Sequence, residues 1–197
     1  MEIQELQLVL NLFKGNKMFK VLQKGCEPTR GSKYSACVDL YASEDVVINA
    51  GETKLVGLGV SIDIDMDTHM GNRKYGEEYK INKKPIYGDG AKRSFREFKS
   101  SHYLQLMLRS SLGKKGLILP NGVGIIDLDY KDEIKMIIHN PIKMSNNQGI
   151  PDQYLLHPFK IKKGDKIAQI TLLEHKSYLF GIDTDKKRDS GFWSTGV

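Results

Sequence analysis

Tyr103-Leu104-Gln105-Leu106-Met107-Leu108, running directly into Arg109-Ser110-Ser111-Leu112-Gly113, sets the pattern of the chain. The first six residues are strongly apolar, as expected of a strand covered on both faces. The next five carry Ser and Gly and read as a turn. Outward in both directions the same alternation recurs. Val46 to Ile48, Lys54 to Ile62, Leu117 to Leu119, Glu133 to His139 and Lys166 to Leu173 are rich in β-branched or aliphatic residues. Asn49-Ala50-Gly51, Pro120-Asn121-Gly122 and Lys162-Lys163-Gly164-Asp165 supply turn signals among them. Short strands at this spacing favour an all-β sandwich or barrel over alternating βαβ units. No long stripe of helical period stands out. Leu6, Leu8, Leu10 and Leu12 alternate like a strand, while Val9 and Phe13 keep a helix open there.

The chain has 197 residues, enough for one domain with decorations and a sizeable core. With 40% hydrophobic and 27% charged residues it has the composition of a soluble globular protein. No apolar run approaches the roughly 18 residues of a membrane span. Met1 to Lys20 has Glu2 and Glu5 at its head and no small-residue cleavage site, so no secretory signal is expected. Cys26 and Cys37 are too few for a disulfide framework and read as reduced thiols of a cytoplasmic protein.

Charge is concentrated. Between Gly71 and Ser100 nine basic residues face four acids, a net of +5 out of +6 for the whole chain. The basic character therefore belongs to one segment. That segment lies within a polar stretch, about 63–102, that looks inserted; a second such stretch is the Asn-, Gln- and Pro-rich loop at about 144–157. Structureless loops of this length are uncommon inside a compact domain, so the first is expected to hold a hairpin or lid, or to be disordered. Residues 1–17 read as an N-terminal extension and 186–197 as a C-terminal arm on a single domain.

Several catalytic machines are missing. There is no GxxxxGK[ST] loop, no GxGxxG turn and no GxSxG elbow, and the five histidines show no metal-ligand spacing. What remains is a series of Gly- and Asp-bearing turns between strands. In order they are Ala36-Cys37-Val38-Asp39-Leu40-Tyr41-Ala42; Arg109-Ser110-Ser111-Leu112-Gly113; Asn121-Gly122-Val123-Gly124-Ile125-Ile126-Asp127-Leu128-Asp129-Tyr130-Lys131-Asp132-Glu133-Ile134; Gly164-Asp165-Lys166-Ile167-Ala168-Gln169; and Gly191-Phe192-Trp193-Ser194-Thr195-Gly196. Each alone is weak. Five in this order resemble the motifs of the trimeric dUTPase family, from about Phe19 to Val197 apart from the two inserted stretches.

The resemblance implies a distorted jelly-roll or β-barrel with a flexible C-terminal arm, and hydrolysis of dUTP to dUMP and pyrophosphate. Asp127 becomes the general base for a water that attacks the α-phosphorus, a role open to a carboxylate within hydrogen-bond reach of that water. Arg109, Ser110, Ser111 and Gln169 would bind phosphates, since a guanidinium and backbone N–H groups in a turn suit an anion. Asn121, Gly122, Gly124 and Ile126 belong to the turn and strand that read uracil, where backbone recognition would leave a cytosine's groups unpaired. Tyr130 would pack beneath the deoxyribose; a core aromatic is the plainer reading, and the two are compatible. Asp39 would support the metal-triphosphate end, with a purely structural role as the alternative. Phe192, with Ser194 and Thr195, would close over the bound nucleotide from an arm that reaches a neighbouring copy of a homotrimer. Mg²⁺ is implied, held chiefly through the phosphates with no direct protein ligand.

The chain departs from the pattern in places. Cys37, Asp132 and Trp193 stand where the family has Gly, and the segment from Arg109 to Asn121 is about one residue short. Arg188 lies one residue too close to Phe192, with Lys187 at the expected offset, so either could meet the terminal phosphate. A dCTP deaminase of the same fold is the nearest alternative. It would need a Glu about where Ile137 stands, and Ile134-Lys135-Met136-Ile137-Ile138 is carboxylate-free. A regulatory or nucleic-acid-binding protein on the same scaffold is the other. In the basic stretch Tyr75, Tyr79, Tyr87, Phe95 and Phe98 are interleaved with Lys and Arg, a composition that can bind single strands. A solvated decoration is the favoured reading.

Overall fold

The computed structural model describes residues 18–64, 80–81, 84–85, 98–141 and 157–182. The strands are β1 (Phe19–Val21), β2 (Thr29–Arg30), β3 (Val38–Tyr41), β4 (Val46–Ile48), β5 (Thr53–Gly57), β6 (Val60–Ile62), β7 (Lys80–Ile81), β8 (Lys84–Pro85), β9 (His102–Leu108), β10 (Gly124–Asp127), β11 (Lys135–His139), β12 (Phe159–Ile161) and β13 (Lys166–Glu174). One short helix, α1 (Ser110–Lys114), and a 3₁₀ turn (Ser177–Phe180) interrupt them, and residues 98–101 are helical. The fold is mostly β, as the turn spacing implied. Among the described residues no helix is long and apolar enough to cross a membrane.

A five-stranded antiparallel sheet in the order β10-β9-β13-β3-β2 organises the molecule. Strand alternation sorts its side chains. Leu104 and Leu106 of β9 point inward with Ile126 of β10, Ile170 of β13 and Leu40 of β3, all essentially buried. Tyr103, Gln105 and Met107 take the other face, half-buried, beside Gln169 and Asp39. The β9 segment is thus fully covered on one face and partly on the other, rather than enclosed on both. Two-stranded pairs β1-β6, β5-β11 and β4-β12 add Val60, Val56, Met136, Ile138, Ile48 and Ile161 to the same core.

Two expectations need correction, and a third stretch gains detail. Lys54 to Ile62 is not one strand. It breaks at Leu58-Gly59, where Gly59 sits at φ +64, and β5 and β6 then pair with different partners, β11 and β1. A side chain at Gly59 would be forced into Cys26, whose Cβ and Sγ lie 2.7 Å from a built Cβ, so both conformation and space demand glycine. Leu117 to Leu119 forms only a bridge, Ile118 exchanging backbone bonds with His139. The polar stretch 63–102 is anchored in the core at both ends, through buried Ile64 and through Phe98, which stacks on His102 at 4.5 Å. Within it β7 and β8 pair in antiparallel fashion, consistent with the hairpin expected there. The alternation at Leu6 to Leu12, the loop at 144–156 and the arm 186–197 lie outside the described residues.

Candidate active site

The outer face of the five-stranded sheet carries several of the candidate residues, beginning with Asp39 on β3. Asp39 faces Gln169 of β13 across the ladder, and Gln169 in turn faces Met107 of β9. The carboxylate is 13% exposed and divides its oxygens between two cations: Oδ1 lies 3.3 Å from Arg109 Nε, and Oδ2 accepts from Lys166 Nζ at 3.1 Å. That hydrogen bond, first, and the nearby negative charge hold the Lys166 ammonium above its ordinary pKa. Lys166 also lies 5.7 Å above the Tyr41 ring, and the Tyr41 hydroxyl is hydrogen-bonded to Thr29 on β2. An acid, two cations and an amide from adjacent elements therefore meet on one surface.

Arg109 ends β9 and leads into α1. Its backbone is extended (φ −66, ψ 139), and its N–H donates to the Ile167 carbonyl at 3.1 Å, which ties the helix entry to β13. The Arg109 carbonyl accepts from the N–H groups of Leu112 and Gly113. Ser110 and Ser111 occupy the first turn, both exposed, while Leu112 anchors the helix in the core. What read as a turn is thus a single short helix, Ser110–Lys114, and the serines sit next to the Arg109–Asp39 pair.

Asp127 belongs to a different place. It is the last residue of β10, exposed, and paired across the ladder with Tyr103 at the far end of β9. The chain turns there, with Tyr130 N–H donating to the Asp127 carbonyl at 3.0 Å. Tyr130 itself is buried, its hydroxyl donating to the Glu133 carbonyl at 3.0 Å. The plainer reading of this tyrosine, a satisfied core aromatic, is what the single chain shows. Glu133 is also structural, accepting from Gly59 N–H at 2.8 Å.

The turn before β10 separates two glycines by purpose. Gly122 adopts φ +71 with open space about it, so its turn needs the left-handed conformation. Gly124 has a neighbour instead: an added Cβ would stand 3.1 Å from Leu106 Cβ. The second glycine serves packing against β9. Ile126 points into the core and holds the strand down, while Asn121 is exposed at the turn.

Of the sequence-derived candidates, the structure brings together Asp39, Arg109 and Gln169, with Ser110 and Ser111 alongside. It sets Asp127 apart, at the other end of β9 from Arg109. Arg188, Phe192, Ser194 and Thr195, with Lys187, lie outside the described residues. Lys166 was quoted within its motif but given no role. Ile167 and Ala168 are both buried, and the register between β13 and β3 shifts there, so Lys166 reaches the same face as Gln169 by a bulge that composition does not show. Among the described residues no group of three His, Cys, Asp or Glu side chains could hold a metal ion.

A family model described as dUTPase matches residues 97–196. This chain belongs to the dUTPase family. The matched stretch takes in four of the five dUTPase motifs; the first lies upstream of it and is joined to the second by the Asp39–Arg109 pair. Among curated relatives, the deoxyuridine 5'-triphosphate nucleotidohydrolase of Debaryomyces hansenii is 29% identical over 177 residues, covering 86% of this chain and 79% of its own. That of variola virus is 26% identical over 194 residues, covering 95% and 97%. The dUTPase fold is shared with the Streptococcus mutans dUTPase (TM-score 0.51, 21% identity, 80% of this chain and 95% of that one). It is shared also with the dUTPase from phage phi11 of S. aureus (TM-score 0.51, 18% identity, 89% and 97%). As a dUTPase the chain is a hydrolase, and conversion of dUTP to dUMP and pyrophosphate is the activity that defines its family.

Proposed function

We propose that this dUTPase splits dUTP at a site assembled between copies of the chain, with Asp127 of one copy acting on a triphosphate held by another. The separation of the two ends of β9 carries the reading. From Tyr103, which faces Asp127, to Arg109 is six residues, about 20 Å at the rise of a strand. A general base must come within about 3 Å of the proton it takes. A site shared between copies meets both conditions without spanning that length within one chain.

In the assembled site Arg109, Ser110, Ser111 and Gln169 hold the phosphates. The Asn121–Gly124 turn and β10 receive the uracil, and Tyr130 backs the deoxyribose. Asp127 takes a proton from water as the water oxygen bonds to the α-phosphorus; the bond from that phosphorus to the bridging oxygen breaks, and pyrophosphate leaves. Both oxygens of Asp39 are engaged by Arg109 and Lys166, so a metal gains no ligand there without breaking an ion pair. Mg²⁺ arriving with the triphosphate would neutralise its charge. The arm, with Phe192, Ser194, Thr195 and either Lys187 or Arg188, closes over the nucleotide.

A contact that joins the Asp127 end of one copy to the Arg109 end of the next is head-to-tail, and such contacts make a ring where the rotation between copies closes. Three copies is the number the family resemblance supports. Exposed apolar side chains on the same face, Ile125 (56% exposed) and Leu173 (37%), suit burial against a neighbour. The strands close into the distorted jelly-roll or β-barrel of the family, as one domain with an extension, a charged insertion and an arm. A soluble cytoplasmic enzyme of this kind would keep uracil out of DNA and supply dUMP.

The test is to incubate the protein and its Asp127→Asn variant with Mg²⁺ and, separately, dUTP, dCTP, dTTP and UTP. Pyrophosphate and dUMP are expected from dUTP alone, with the rate falling about 10²–10⁴-fold in the variant. A deaminated product from dCTP would replace this reading with deamination. Four intact substrates would end it.

A further inference from the structure

We propose that Lys166 is a positioning residue for phosphate binding: through Asp39 it fixes the Arg109 guanidinium in the orientation that receives the triphosphate. This rests on the placement of the phosphates at Arg109.

Three observations converge. First, the geometry shares one carboxylate between two cations, with Oδ1 on Arg109 Nε at 3.3 Å and Oδ2 on Lys166 Nζ at 3.1 Å. Engagement through Nε leaves the guanidinium edge formed by the two Nη groups to face an anion, the edge suited to a bidentate phosphate. Second, the fold departs from regularity to put the lysine there. In an unbroken strand Lys166 and Ala168 would share a face, and Ala168 is fully buried. The bulge at Ile167 turns Lys166 to the outer face, and bulges are used to re-aim side chains beside active sites. Third, Lys166 has support of its own from the Tyr41 ring at 5.7 Å, with Tyr41 held by Thr29.

The charge balance gives the arrangement a purpose. Asp39 orients Arg109, yet a carboxylate beside a triphosphate repels it. Lys166 cancels that charge on the oxygen Arg109 does not use, so the cluster of one acid and two bases presents a net positive surface. Without the lysine, Asp39 would be drawn wholly to Arg109 or turned toward the phosphates, and either outcome weakens the grip on substrate. Lys166 itself need not touch the nucleotide.

The experiment is a double-substitution cycle on the full chain: wild type, Lys166→Met, Asp39→Asn and the double variant, with Lys166→Arg as the conservative control. Binding of the non-hydrolysable α,β-imido analogue of dUTP with Mg²⁺ is measured by calorimetry, alongside kcat and KM for dUTP and melting temperature. Lys166→Met is expected to weaken analogue binding and raise KM about fivefold, with kcat within about twofold, as for loss of one partly exposed ion pair. Lys166→Arg should bind within about twofold of wild type. In the Asp39→Asn background Lys166→Met should add nothing further, because its effect runs through the carboxylate. Additive effects, or unchanged binding in Lys166→Met, would overturn the positioning role while leaving the active site standing. A wild type that neither binds the analogue nor cleaves dUTP would overturn the active-site reading, and this proposal with it. Lys166→Gln enters the same cycle if the methionine variant fails to fold.

Discussion

The two ends of the outer sheet face are built differently. At the Arg109 end, side chains from β2, β3, β13 and the start of α1 interlock: Thr29 with Tyr41, Tyr41 with Lys166, Lys166 with Asp39, Asp39 with Arg109. At the Asp127 end a carboxylate stands on β10, the outermost strand of the sheet, with exposed Ile125 on the same face. The Arg109 end is organised within one chain. The Asp127 end faces outward on an edge strand. On the proposed reading, a site split in this way would gain water exclusion and its full set of groups only on assembly, so assembly and activity would become one event.

The largest expected effect tests that division. Asp127→Asn and Arg109→Ala should each be nearly inactive alone. If the two residues serve one site from different copies, equal amounts of the variants, allowed to exchange subunits, should recover about a quarter of wild-type activity, the fraction of interfaces that draw both intact residues. No recovery in mixtures shown by mass spectrometry to contain mixed oligomers would place both residues in the same copy's site and erase the comparison.

A smaller effect sharpens it within β10 and its turn. Gly124→Ala brings a Cβ to 3.1 Å from Leu106 Cβ on the adjacent strand, so Leu106 or the strand must shift. The expected loss is about 1–3 kcal/mol in urea unfolding. Gly122→Ala meets no neighbour but must hold φ +71, for about 1 kcal/mol. On the proposed function its larger consequence should fall on dUTP binding, because the turn assigned to the base has open space about Gly122. Equal losses for the two variants would mean that Leu106 relaxes freely and that the division between packing and turn is mistaken.

Much of this was legible in the sequence. Apolar runs marked β4, β9 and β13, and the Asp and Gly turns named the residues now found at both ends of the sheet. Register escaped. Nothing in Lys54 to Ile62 announces that Gly59 must break the run, because the reason is Cys26, thirty-three positions away in the chain. Lys166 looked like one more surface lysine until the bulge turned it toward Asp39. Phe98 read as part of a charged decoration, yet it is buried beside His102. These are long-range facts, set by which strands meet, and local composition carries them weakly. The motif pattern was the better guide to the family, because it specifies residues jointly across the chain.

The smallest expected effect concerns pH at the Arg109 end. Hydrogen bonding to Asp39 raises the Lys166 pKa above the unfolded-chain value. Below that unfolded value the lysine is charged in both states and the pair with Asp39 contributes in full. As pH rises through the unfolded value and then the folded one, the unfolded chain loses its proton first, and the contribution fades. The lysine is exposed, so the shift in melting temperature should be modest. Wild type should melt above Lys166→Met at pH 8 to 9, and the gap should close only on the alkaline side of the ordinary lysine range. A gap already gone at pH 9 would contradict the raised pKa. If the gap persists there while Asp39→Asn abolishes it, the ion pair operates as a unit, held in place before any nucleotide arrives.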